Sequence, residues 1–138
     1  MTSVVTPKPV AVYEYYSENP WRFLYSTELN IRDDWKRGII AFYGFQHSAP
    51  GLVPVYRFVA TTPYYRYQYS TSPRVNGSGW TNEGIAFYAA QNSRQQYVPV
   101  YQYYAVENGN WRYHYSTNPA VGNGWRREKI AFYSPTFL

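Results

Sequence analysis

Ile40-Ala-Phe-Tyr43 recurs as Ile85-Ala-Phe-Tyr88 and again as Ile130-Ala-Phe-Tyr133, stepping 45 residues each time. A tryptophan stands five residues before each copy, at Trp35, Trp80 and Trp125. Further out, Tyr-Ser-Thr recurs at Tyr25–Thr27, Tyr69–Thr71 and Tyr115–Thr117. Val-X-Val-Tyr opens each copy at Val10–Tyr13, Val53–Tyr56 and Val98–Tyr101. A fixed period of this kind marks one supersecondary unit copied along the chain, each copy burying its apolar face on its neighbours. The chain is therefore read as a single domain of three repeats, about residues 8–46, 52–91 and 97–138.

Each repeat holds four short β-like runs: Val-X-Val-Tyr, the stretch ending in Tyr-Ser-Thr, a piece around the tryptophan, and Ile-Ala-Phe-Tyr. Turn residues separate them, as at Ser17–Pro20, Thr61–Pro63, Asn108–Asn110, Asn76–Gly79 and Gly122–Gly124. The distance from the opening tyrosine to the Tyr-Ser-Thr tyrosine is 12, 13, then 14 residues. Hairpin tips vary in this way when strands are held. The best helical candidate is Asn30–Ile40, with Asp33, Asp34, Lys36 and Arg37 in one turn. Its counterparts contain Gly77, Gly79, Gly122 and Gly124, and glycine disfavours helix. The expected fold is all-β: a β-trefoil with pseudo-threefold symmetry and twelve short strands, with a three-sided β-prism as the alternative. Closure also removes the open edges that so many apolar strands would expose.

Composition agrees and excludes several classes. Of 138 residues, 18 are tyrosine and 22% are aromatic, with few Leu and Ala, which favours strands. With no cysteine, disulfide scaffolds, iron–sulfur sites and thiolate zinc sites are ruled out. No apolar run approaches the ~18 residues of a membrane-spanning helix. Met1-Thr-Ser-Val-Val lacks a basic start and apolar stretch, so a cytoplasmic protein, or one released without a signal peptide, is expected. The net charge of +5 permits anionic partners without demanding nucleic acid.

Along the second run, side chains alternate between two faces. One face reads Trp21, Phe23, Tyr25; Tyr65, Tyr67, Tyr69; Trp111, Tyr113, Tyr115. The other reads Arg22, Leu24, Ser26; Arg66, Gln68, Ser70; Arg112, His114, Ser116. The aromatic face is expected inside and the Arg-containing face in solvent. Val12, Val55 and Val100, with Ile40/Phe42, Ile85/Phe87 and Ile130/Phe132, complete the expected core. Trp35, Trp80 and Trp125 suit either a hydrophobic plug or exposed platforms. Serines of the Tyr-Ser-Thr strings are expected to cap turns.

Arg22, Arg66 and Arg112 place one charge at the same position in all three repeats. Guanidinium groups stack on aromatic rings and fork onto polar ligands. One role is structural, with each Arg stacked on tyrosines or paired with Glu14, Glu83 or Glu128. The other is recognition. Sugars bind by laying an apolar pyranose face on a ring while their hydroxyls take bonds from polar side chains. The candidate ligand-binding residues are Arg22, Arg66, Arg112, Trp35, Trp80, Trp125, His114 and Gln68.

Catalysis finds little support. His47 and His114 have no counterparts in the other repeats, and the two aspartates, Asp33 and Asp34, are adjacent. Neither HExxH, Walker A, GxGxxG nor a nucleophile elbow is present. No metal and no cofactor is expected. The arginines are spread evenly rather than in a phosphate track, so nucleic acid is not favoured. The reading is a non-enzymatic, lectin-like module with up to three sites for glycans. A protein-binding inhibitor or defence protein using the variable loops is the alternative. Oligomeric state is not set by these features.

The strings Val-Pro-Val-Tyr, Tyr-Ser-Thr-Asn-Pro and Glu-Gly-Ile-Ala-Phe-Tyr resemble a tyrosine-rich bacterial and fungal repeat family of unknown function. The resemblance covers all three repeats. It is closest at Val53–Phe58 with Glu83–Tyr88, and at Val98–Tyr103 with Tyr115–Pro119. It departs at Gly38-Ile39-Ile40 and at Lys129. Members of that family are often appended to secreted hydrolases, and the family has no settled activity. The threefold plan is also similar, in architecture, to β-trefoil lectins.

Overall fold

The computed structural model describes residues 7–31 and 34–136. Nine strands are found there: β1 (Val10–Ser17), β2 (Arg22–Ser26), β3 (Lys36–Gly44), β4 (Leu52–Ala60), β5 (Arg66–Ser70), β6 (Thr81–Ala90), β7 (Tyr97–Glu107), β8 (Asn110–Ser116) and β9 (Arg126–Pro135). The described residues are thus all-β. Three strands per group replace the four expected, because the piece after each tryptophan runs straight into Ile-Ala-Phe-Tyr. Trp35, Trp80 and Trp125 each directly precede one long final strand. The helical candidate at Asn30–Ile40 is likewise not formed: Lys36 onward is β3, and Arg32 and Asp33 lie outside the described residues.

Every group pairs its first strand with the other two, antiparallel: β2-β1-β3, β5-β4-β6 and β8-β7-β9. The last two groups join through β6 and β9 into a six-stranded sheet. The first meets the second where Phe45 and Tyr88 exchange backbone bonds of 2.9 and 2.7 Å.

A bulge falls at one place in all three groups. Val12 faces Phe42 but Tyr13 faces Ile40; Val55 faces Phe87 but Tyr56 faces Ile85; Val100 faces Phe132 but Tyr101 faces Ile130. Ala41, Ala86 and Ala131 are the extra residues. A bulge breaks the two-residue alternation and re-aims the side chains beyond it. Phe42, Phe87 and Phe132 are buried, whereas Ile40, Ile85 and Ile130 are 45%, 49% and 43% exposed. The expectation that these isoleucines join the core is therefore wrong. Gly84 takes φ 103° just beyond, a conformation that strains any other residue.

The core is built in threes. Val12, Val55 and Val100 are fully buried. Phe42, Phe87 and Phe132 pack with ring centroids 5.3–5.6 Å apart. Tyr25, Tyr69 and Tyr115 meet edge to face at 5.4–5.5 Å. Their hydroxyls close a ring. Tyr69 Oη accepts from the Tyr25 N–H at 2.8 Å and donates to the Tyr25 carbonyl at 2.9 Å. Tyr115 does the same to Tyr69, and Tyr25 to Tyr115. Each short central strand thus has its outer backbone groups satisfied by a side chain of another group, as burial requires. Desolvation raises all three phenolic pKa values above the ordinary range.

Candidate functional clefts at the seams between groups

Alternation along the central strands is less sharp than the sequence implies. Burial falls from one end to the other: Tyr25, Tyr69 and Tyr115 are buried, while Trp21, Tyr65 and Trp111 are 49%, 53% and 40% exposed. The opposite face is not in solvent either. Leu24 and Gln68 are buried, and His114 and the three arginines are half-buried. Strands β2, β5 and β8 pack on one another, so both faces find protein.

This convergence makes three related clefts. In the first, Arg22 of β2 donates to the Tyr65 carbonyl at 2.9 Å and lies 5.5 Å from the Trp35 ring. In the second, Arg66 donates to the Trp111 carbonyl at 2.9 Å and lies 5.2 Å from Trp80. In the third, Arg112 donates to the Trp21 carbonyl at 2.6 Å and lies 5.4 Å from Trp125. Each tryptophan also packs on the next group, Trp35 on Tyr67, Trp80 on Tyr113 and Trp125 on Phe23. Every seam therefore has a half-buried Trp floor, an Arg across it, and an exposed aromatic at the lip. The first cleft encloses about 480 Å³ and the third about 680 Å³.

The arginines are partly committed to the fold. Arg22 also bonds the Pro20 carbonyl at 3.3 Å and Ser17 Oγ at 2.8 Å. Arg66 adds the Thr62 carbonyl at 2.9 Å. Arg112 adds only a long approach of 3.9 Å to Glu107. The expected pairing of these arginines with Glu14, Glu83 or Glu128 is not made. Glu83 holds Arg57 at 2.8 Å, Glu128 accepts from Gln102 at 2.9 Å, and Glu14 meets His114 at 3.1 Å. Burial lowers the Arg22 and Arg66 pKa from the usual value, yet a guanidinium stays charged. Burial, with Glu128 nearby, pushes the Tyr113 phenol beside the second cleft up to about 12.

His114 and Gln68 sit beneath the clefts rather than on them. His114 stacks on Phe23 at 4.1 Å and meets Trp125 edge to face at 5.4 Å. Gln68 is buried, and its Nε2 finds no protein partner. Sequence reasoning missed Trp21, Tyr65 and Trp111 as the exposed rings, because a strict two-residue period assigned them inside. Their place at the open end of each central strand was the available signal. Among the described residues, no group of three His, Cys, Asp or Glu gathers to hold a metal ion, and no helix is long and apolar enough to cross a membrane. The serines of the Tyr-Ser-Thr strings accept the N–H two residues on, at 3.0–3.1 Å.

A family model described as a domain of unknown function, DUF5648, matches residues 31–135. No curated protein and no solved structure matches the chain.

Proposed function

The chain belongs to the DUF5648 family, a domain of unknown function, and from that premise we propose a non-enzymatic carbohydrate-binding module with up to three related sites. The observation that carries the reading is the exposed ring at each seam, Tyr65, Trp111 or Trp21, held beside an arginine and a second ring. An open, shallow aromatic wall with adjacent polar groups suits a pyranose, which offers one apolar face and a rim of hydroxyls. Three weak sites on one body raise avidity for clustered glycans. At this finer grain the whole described chain works as one pseudo-threefold body. Three three-stranded groups support the prism alternative better than a twelve-strand trefoil.

A glycan array tests the reading, with haemagglutination as a second readout. Binding of simple pyranose-containing glycans is expected. Folded protein that binds none of them overturns it. The alternative, a protein-binding inhibitor, draws on the hairpin tips at Ser17–Pro20, Thr61–Pro63 and Val106–Asn110, which differ in length and sequence. Capture of one protein partner with no glycan binding would favour it.

A further inference from the structure

The three clefts are not equal, and we infer that the third, between β8 and β2, is the principal site and holds a pyranose between the Trp21 ring and the Arg112–Glu107 pair. The inference rests on the carbohydrate reading and deepens it.

Its origin is a length difference. The last hairpin is the longest: β7 has 11 residues and β8 has 7, against 8 and 5 for β1 and β2, and 9 and 5 for β4 and β5. The added residues carry Val106 and Glu107 up one side of the cleft, turning at Asn108 and Gly109 with left-handed φ of 53° and 78°. The wall they build encloses about 680 Å³, against about 480 Å³ in the first cleft. Trp21, 49% exposed, forms the facing platform. Asn19 and Asn123, both at positive φ, also line this cleft.

Polar capacity also differs. Arg22 spends three hydrogen bonds on the protein and Arg66 two, while Arg112 spends one. The Arg112 Nε is buried without a partner, but its two Nη atoms keep the most unspent donors of the three arginines. Its Nη2 lies 3.9 Å from a Glu107 carboxylate oxygen, and Glu107 is 58% exposed. A donor beside an acceptor at this spacing fits two neighbouring hydroxyls of one sugar ring, one accepting from Arg112 and the other donating to Glu107. Glu107 is the one carboxylate of this lining, set against Arg112 and Arg126. In the first cleft Arg22 is already tied to Ser17 and Pro20, with Asp34 in the same lining.

Calorimetric titration of the whole chain with methyl glucopyranoside, methyl galactopyranoside and glucuronic acid tests this. One site per chain is expected to dominate. Trp21→Ala should weaken it about tenfold or more. Glu107→Gln, at an exposed position, should weaken the neutral glycoside. Ile85→Thr, on a different face, serves as the folded control. Neutral-glycoside binding that survives Trp21→Ala unchanged, or three equal sites, overturns the inference while leaving the carbohydrate reading standing. No binding of any of the three sugars, nor of any array glycan, overturns both.

Discussion

Tyr69 shows how one side chain holds two groups together. Its hydroxyl accepts from the Tyr25 N–H and donates to the Tyr25 carbonyl, and the phenol is fully buried. Tyr69→Phe keeps the ring but leaves a buried N–H and C=O of β2 without partners. The expected loss is about 1–3 kcal/mol of folding stability, read as a lower urea midpoint with an unchanged slope. Position-equivalent residues need not repeat the chemistry. The tyrosine hydroxyls at the centre meet Glu14 in the first group and Gln102 in the third, at 3.1 and 2.7 Å, while Arg57 stands in the matching place in the second. Likewise Tyr15 and Tyr103 donate to the carbonyls of Glu28 and Asn118, where Phe58 has no hydroxyl to offer.

At the scale of the strand, the repeated bulge decides which apolar residues build the core. Ile85 and Phe87 are two residues apart and would share a face in a regular strand. Ala86 intervenes as the extra residue, so Phe87 is 2% exposed and Ile85 is 49% exposed. Ile85→Thr is therefore expected to change stability by no more than about 0.5 kcal/mol. Phe87→Ala empties the threefold phenylalanine layer and should cost about 3–5 kcal/mol. Chemical denaturation of the two variants side by side checks the contrast; equal losses would mean that the isoleucine is core after all. The strings Ile-Ala-Phe-Tyr and Val-X-Val-Tyr made the strands legible. The bulge was not, because an extra residue is defined only by the partner strand it faces. The same limit hid the lip aromatics Trp21, Tyr65 and Trp111.

For the whole molecule, contacts between groups run in one cyclic sense. Arg22 reaches the second group, Arg66 the third and Arg112 the first. The tyrosine ring closes as well. One consequence concerns pH. The unfolded chain gives up phenolic protons near the ordinary value of about 10. Tyr25, Tyr69 and Tyr115 hold theirs to higher pH, chiefly because burial disfavours the phenolate. Above about 10 the folded state therefore binds more protons than the unfolded state, and stability falls as pH rises. Below that value these groups add no pH dependence. Thermal melts followed by circular dichroism should show a midpoint that drops in alkali. Tyrosinate absorbance from the buried set should appear together with unfolding; buried tyrosines that ionise in a still-folded protein would contradict this account.

The all-β class, the threefold periodicity and the buried valines were determined by the sequence itself, since spacing and alternation are local properties written along the chain. So was the grouping of Arg22, Arg66 and Arg112 with Trp35, Trp80 and Trp125, because each pair belongs to one repeat. Tertiary structure alone decided that each cleft also takes its lip from the next repeat, Tyr65, Trp111 or Trp21, about 40 or more residues away along the chain or, for Arg112 and Trp21, 91. It also decided how many donors each arginine has left, because hydrogen bonds to a distant carbonyl depend on where the groups meet. Repetition in the sequence implies three alike clefts; packing, with one longer hairpin, makes them three different ones.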